Sequence, residues 1–229
     1  MTNLGCSAAE RQQSGSALDF DWPAEVKETQ KVSEAELPTQ WGKFHIQGYE
    51  RRVRTSSGVR LETAVALIYG NHALPERPLL RIHSQCLTGD VLGSQRCDCG
   101  AQLELAMAAI AREGAGLLIY EMQEGRGIGL MAKLRAYALQ DQGLDTVEAN
   151  QKLGLAVDAR DYQLPVEIVR QLGVHQVRLL SNNPEKLEAL ARGGIEVVER
   201  IPCEAPLSPH AERYLKTKKD RLGHLLTTV

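Results

Sequence analysis

Along this chain the spacing of apolar positions goes from none, to two, to nearly four. The first 36 residues mix Ser, Gln, Ala and Glu without a lasting period and hold no apolar cluster able to offset the entropy of ordering them. A mobile extension is therefore expected over 1–36 and a folded domain over 37–229. From Leu37 onward, Phe44 to Tyr49, Leu61 to Tyr69 and Leu79 to His83 predict strands, being rich in Val, Ile, Leu and Tyr and punctuated by Gly, Asn and Pro, with an antiparallel opening. After Gly100 the period turns helical, since Leu103, Met107 and Ile110 recur at i, i+4, i+7 and Gly114 stands where a helix C-cap belongs. Gly116 to Glu121 then reads as a buried strand and Ile128 to Gln142 as a second helix. Asp145, with Glu148 three residues on, carries the capping-box signature of a third helix. Helix Val166 to Leu172 and strand Gln176 to Leu180 follow, then a helix capped by Asn183 with Pro184 in its first turn, then strand Ile195 to Arg200. Alternating strands and helices predict an α/β fold, a mixed sheet with helices packed on it.

Composition narrows the class. The formal charge is −2, but residues 1–36 hold seven acids and three bases, which leaves 24 bases against 22 acids in the remainder. That body suits a small anionic ligand and lacks the basic excess of a nucleic-acid binder. No apolar run approaches the roughly 20 residues of a membrane span and no secretory signal opens the chain, so a cytoplasmic protein with no membrane partner is expected. Five cysteines without such a signal read as reduced thiols or metal ligands.

The densest chemistry lies in RIHSQCLTGDVLGSQRCDCGAQLEL, which sets Cys86, Cys97 and Cys99 between a strand and a helix. Three thiols suggest Zn2+, and three protein ligands leave a fourth position for water, the arrangement of catalytic zinc. Clustered buried thiols without a metal, or a structural zinc completed by His83 or another histidine, are the alternatives; Cys6 and Cys203 stand apart. In YEMQEGRGIGLMAKLRAYALQ, Gly125, Gly127 and Gly129 bracket Arg126 just before a helix, which suits phosphate oxygens but equally a tight turn. In DTVEANQKLGLAVDARDY, Asp158 and Arg160 form a salt bridge or a phosphate clamp, arginine being a poor nucleophile at ordinary pH. Taken singly, Lys186 reads as a solvated lysine and Tyr137 as a packed tyrosine.

Taken together, HSQCLTGD, RCDCG, QEGRGIGL, ALQDQG, DTVEAN and LLSNNPEK, in this order, resemble the GTP cyclohydrolase II family of riboflavin biosynthesis, from about LPTQWGKF to LKTKKDRLGHLL. The resemblance implies a single catalytic domain that converts GTP and water into formate, diphosphate and 2,5-diamino-6-hydroxy-4-(5-phosphoribosylamino)pyrimidine. It implies one zinc on Cys86, Cys97 and Cys99, Mg2+ with the triphosphate, and a homodimer. By the same resemblance Asp158 is a proton acceptor, Arg160 a nucleophile toward the α-phosphorus, and Tyr137 a participant in ring opening. GTP contacts are implied at Arg81, Ile82, His83, Ser84, Gln85, Gln102, Glu124, Gly125, Arg126, Thr146, Ser181 and Lys186, with Glu124 accepting from the guanine amino and ring N–H groups. Gln85 stands where many members have Glu, Met122 where many have Arg or His, and Ser181 where Thr is commoner. Met122 removes a polar group near the site, which leaves as alternatives a relative that opens the ring but keeps the formyl group, and a non-catalytic zinc-containing nucleotide-binding module.

Overall fold

An extended segment with both faces half in water must satisfy its backbone groups by pairing, and the opening of the domain does so as an antiparallel meander. The structure, a computed structural model, describes residues 29–55, 58–70 and 74–229. Strand β1 (Gln30–Thr39) turns at Gln40 and Trp41 into β2 (Gly42–Thr55), which pairs along its length with β3 (Gly58–Tyr69). Residues 30–36, expected in the extension, are thus paired in β1. Their side chains are exposed on both faces, so ladder bonds rather than burial hold the strand and no apolar period marks it. Residues 1–28 of the expected extension lie outside the described residues.

The second half is wound differently. Strand β4 (Leu79–Ser84), helix α1 (Cys99–Glu113) and strand β5 (Gly116–Glu121) form a parallel βαβ unit. There follow α2 (Leu130–Asp141), α3 (Thr146–Lys152), α4 (Gln163–Gln171), β6 (Gln176–Leu180), α5 (Pro184–Arg192), β7 (Glu196–Ile201) and α6 (Glu212–Leu222). The seven strands lie in the order β1-β2-β3-β5-β4-β6-β7. Pairing is antiparallel from β1 through β3 to β5 and parallel from β5 through β4 and β6 to β7. The mixed sheet and its helices agree with the α/β expectation, and the opening is antiparallel as the turn residues implied.

Strand alternation divides the core. Leu80 and Ile82 of β4 and Leu117 and Ile119 of β5 face Leu164 and Ile168 of α4 and Leu190 of α5. On the other face Leu79 and Leu118 meet Ala106, Met107 and Ile110 of α1. The local signals are realised: Asp145 and Glu148 form both bonds of a capping box, and Asn183 caps α5 with Pro184 in its first turn. Helix α6 has no counterpart in the sequence reading, because among its charged residues only Leu215 supplies a deeply buried apolar side chain.

The two halves are riveted at Arg51 of β2, only 4% exposed, which reaches Glu62 of β3 at 2.7 Å, Asp161 at 3.1 Å and Glu167 of α4 at 3.2 Å. Arg51→Met leaves these carboxylates facing one another without their cation. It is expected to cost about 3 kcal/mol, read as a fall of several degrees in Tm and an earlier urea midpoint.

Candidate active site

In open sheets with parallel strands, ligands gather beyond the carboxyl ends of the strands where crossovers leave on opposite faces. Here the crossover after β4 is α1 on one face and that after β6 is α5 on the other. The segments leaving β4, β5 and β6 converge there on a cleft. Of the residues singled out in the sequence, Arg81, His83, Ser84, Gln85, Cys86, Cys97, Cys99, Gln102, Glu124, Gly125, Arg126, Tyr137, Thr146, Arg160, Ser181 and Lys186 line it.

At one end stand the three thiols, their sulfurs all within 4.8 Å of one another. Cys86 and Cys97 Sγ are 3.6 Å apart, close to the roughly 3.8 Å separating two sulfurs that share a tetrahedral zinc. Cys86 leaves β4 into a π-helical turn, Leu87–Val91, and Cys99 opens α1, where the other two thiols and burial hold it well above the ordinary thiol value. A Cβ on Gly89 would lie 3.0 Å from Cys97 Sγ and 3.2 Å from Cys86 Sγ, so bare backbone keeps this cradle open. Three thiols so close cannot ionise independently. Hydrogen bonds from Cys97 and Cys99, with help from the Lys133 ammonium, hold Cys86 far below the ordinary thiol value, and the Cys86 thiolate in turn pushes Cys97 up to about 11. A divalent cation relieves that conflict, and the donor set fits one with an affinity for sulfur.

His83 is spoken for. Its Nε2 lies 3.2 Å from Asp90 and its Nδ1 3.3 Å from Arg81 Nη2, and burial lowers its pKa to about 4, so it is a neutral, fully bonded ring. Among the described residues the thiol cluster has no fourth His, Cys, Asp or Glu. The Asp90 carboxylate accepts also from Tyr120 Oη at 2.8 Å and from the Cys86 N–H at 2.9 Å, which locks the turn carrying the first thiol.

The rest of the cleft is cationic. Arg126 sits at φ +62, a left-handed backbone that L residues avoid; its guanidinium lies 5.7 Å from the centre of the Tyr214 ring, and its two terminal nitrogens are buried with no hydrogen-bond partner. Such a guanidinium has its hydrogen-bonding capacity free for an anion. Neighbouring Gly127, at φ +85, permits the loop to touch the next one, since a Cβ there would lie 2.8 Å from Ala159 O. Arg160 in that second loop is clamped by Asp158, which accepts from its backbone N–H at 3.0 Å and from Nε at 2.9 Å, and from Nη2 as well. Burial pushes the Asp158 carboxyl up, but these bonds more than offset it and hold it below the usual carboxylate range.

Several expectations need correction. Ile82 points away from the cleft into the core and contributes only its carbonyl, which accepts from Lys186 Nζ at 2.8 Å. Lys186 is buried rather than solvated. Asp158 does not itself line the cleft but stands behind Arg160. Glu124 accepts from Leu87 N at 2.7 Å, Gly125 N at 2.9 Å and Lys133 Nζ at 2.8 Å, which fills three of its roughly four acceptor positions and leaves room for one guanine donor, not two. Met122 is 46% exposed and is not among the residues that line the cleft, although its neighbour Gln123 is.

Other lining residues were not singled out: Lys133, whose Nζ also lies 3.1 Å from Cys86 Sγ, and Tyr214, Lys218 and His224 from the C-terminal segment. Lys133, Lys218 and His224 have as their only sequence signal membership in GLMAKLRAY and LKTKKDRLGHLL, where a lysine is indistinguishable from its solvated neighbours, and Tyr214 stands just before the second.

The description of the family model that matches residues 29–202 is GTP cyclohydrolase II. GTP cyclohydrolase-2 of Shigella boydii and that of Escherichia coli K12 are each 53% identical over 196 residues, covering 86% of this chain and 97% of theirs. A two-domain 3,4-dihydroxy-2-butanone 4-phosphate synthase of A. baumannii is similar in structure at 18% identity and a TM-score of 0.39, over 79% of this chain and 41% of that one. On a family model that covers most of the chain and on relatives 53% identical across nearly their whole length, the chain belongs to the GTP cyclohydrolase II family, hydrolases of riboflavin biosynthesis.

Proposed function

We propose that this chain hydrolyses GTP to 2,5-diamino-6-hydroxy-4-(5-phosphoribosylamino)pyrimidine, formate and diphosphate. The observation that carries the reading is one cleft with a three-thiol cradle at one end and the unpartnered, buried Arg126 guanidinium lining the rest. The first end suits hydrolysis of a ring carbon and the second a triphosphate, which arrives with its own Mg2+. Cys86, Cys97 and Cys99 would hold Zn2+, which when bound would supply a Lewis acid for hydrolysis at carbon 8 of guanine. Glu124 orients the base through its one remaining acceptor position, and Gln85, Gln102, Thr146 and Ser181 complete the polar wall around the nucleoside. Tyr137 Oη lies 3.4 Å from Thr88 Oγ1, itself 3.6 Å from Cys86 Sγ; burial raises the phenol pKa, so it holds its proton for the ring nitrogen released on opening.

At the phosphate end Arg126, Arg160 and Lys186 face the triphosphate. Burial works against the Arg160 charge, yet Tyr162 and Asp158 together push its pKa well up, so it stays protonated. That favours electrostatic stabilisation of the pentavalent α-phosphorus over covalent attack; Asp158, on Nε and Nη2, is where a proton leaving the guanidinium would go. Among the described residues no helix is long and apolar enough to cross a membrane, and the protein is proposed to work as a cytoplasmic homodimer, which sedimentation would test.

Incubation with GTP and Mg2+ should release formate and diphosphate in equal amounts. Diphosphate with an N-formyl product would establish the formyl-retaining alternative, and neither product the binding module. Arg160→Lys keeps the charge but loses the fork, and diphosphate release should fall about 100-fold; release at the normal rate would remove Arg160 from the phosphoryl step. Cys97→Ser should abolish zinc content and formate release while circular dichroism stays unchanged, whereas a structural zinc would take the fold with it.

A further inference from the structure

Asp98 separates two of the thiols in sequence, and its side chain occupies an unusual place. It stands at the N-cap of α1, where aspartate normally accepts from the first N–H groups of the helix, yet it makes no such bond. Its carboxylate, 8% exposed, is instead held from two sides: Oδ1 by Lys218 Nζ of α6 at 2.7 Å, and Oδ2 by Gln102 Nε2 of α1 at 2.5 Å. Gln102 Oε1 in turn accepts from Arg81 Nη2 at 2.8 Å. Lys218 is itself buried, 120 residues along the chain, with its ammonium 4.6 Å from the centre of the Tyr214 ring.

The helix bearing Lys218 lies beyond residue 202, where the match to the family model ends. It is tied down by polar joints, Arg221 to Asp145 at 3.2 Å and Leu225 N to Asn182 O at 2.8 Å, around a small apolar cluster of Ala211, Leu215 and Leu226. In a Cys-Asp-Cys run the middle side chain fixes the turn that aims both thiols, because the flanking Cβ directions follow from the backbone it pins.

We propose that Lys218 is a positioning residue: by anchoring Asp98 it fixes the Cys97–Cys99 turn, so that the C-terminal helix governs how firmly the metal is held. This rests on the zinc reading above. Outer partners that orient metal-ligating groups typically set affinity by 10- to 100-fold, and here the partner comes from a segment with its own small core.

The test is the rate at which the zinc-loaded full chain gives up its metal to a chromogenic chelator, with circular dichroism recorded alongside. Lys218→Met should release zinc 10- to 100-fold faster, and Lys218→Arg should recover most of the retention. Lys216→Met, which removes only the exposed Lys216–Glu212 pair of the same helix, should release it at the wild-type rate. Should Lys218→Met fail to fold, the charge-free pair Asp98→Asn with Lys218→Met takes its place and should also release zinc fast. Wild-type retention in the folded Lys218 variant, or equally fast release from Lys216→Met, overturns the proposal. Wild-type protein that takes up no zinc overturns the metal reading and this proposal with it.

Discussion

A charge withdrawn from water must find its partner inside the protein, and at the carboxyl ends of β4, β5 and β6 that requirement is met many times over in a small volume. Arg81, Asp98, Glu124, Lys133 and Lys218 are all nearly inaccessible to solvent, as is the neutral ring of His83. Isolated, each would be costly; joined as Asp90 with His83, Tyr120 and the Cys86 N–H, as Glu124 with Lys133, and as Asp98 with Lys218 and Gln102, each fixes the position of the next. The loops that carry the thiols contain few large apolar side chains, and this mesh of ionic bonds takes the place of a core beneath them.

The two halves of the sheet serve that mesh differently. The parallel half supplies it directly, since the residues leaving β4, β5 and β6 are the ones that meet. The antiparallel half works at a distance through β5, which pairs with β3 on one side and β4 on the other, and through Arg51, which grips Asp161 beside Arg160. Gln123 closes the same joint, its Oε1 accepting from Asp161 N at 2.9 Å.

Much of the fold was legible because it is written in local rules. The strands at 116–121 and 176–180 and the capped starts of α3 and α5 fall where apolar runs, Asp145 and Asn183 put them. Strand β1 and helix α6 were illegible for different reasons: β1 is held by its ladder with the next strand and has no buried face, and α6 by one buried leucine and a lysine bonded to Asp98, 120 residues away. The same divide runs through the site. Cysteines announce themselves by type and spacing, whereas Lys133, Lys186 and Lys218 differ from surface lysines only in their burial. Glu124 could be picked out from its motif, but not the three donors that already occupy it.

The unpartnered guanidinium of Arg126 also has a meaning for the empty protein. Two buried, cationic nitrogens without acceptors are a standing cost to the native state, offset only when an anion arrives. Binding and folding are then linked: an anion that satisfies Arg126 in the folded chain finds no such arrangement in the unfolded one, and it stabilises the native state in proportion to the logarithm of its concentration. The stability of the folded chain is thereby coupled to the supply of whatever anion the cleft takes up.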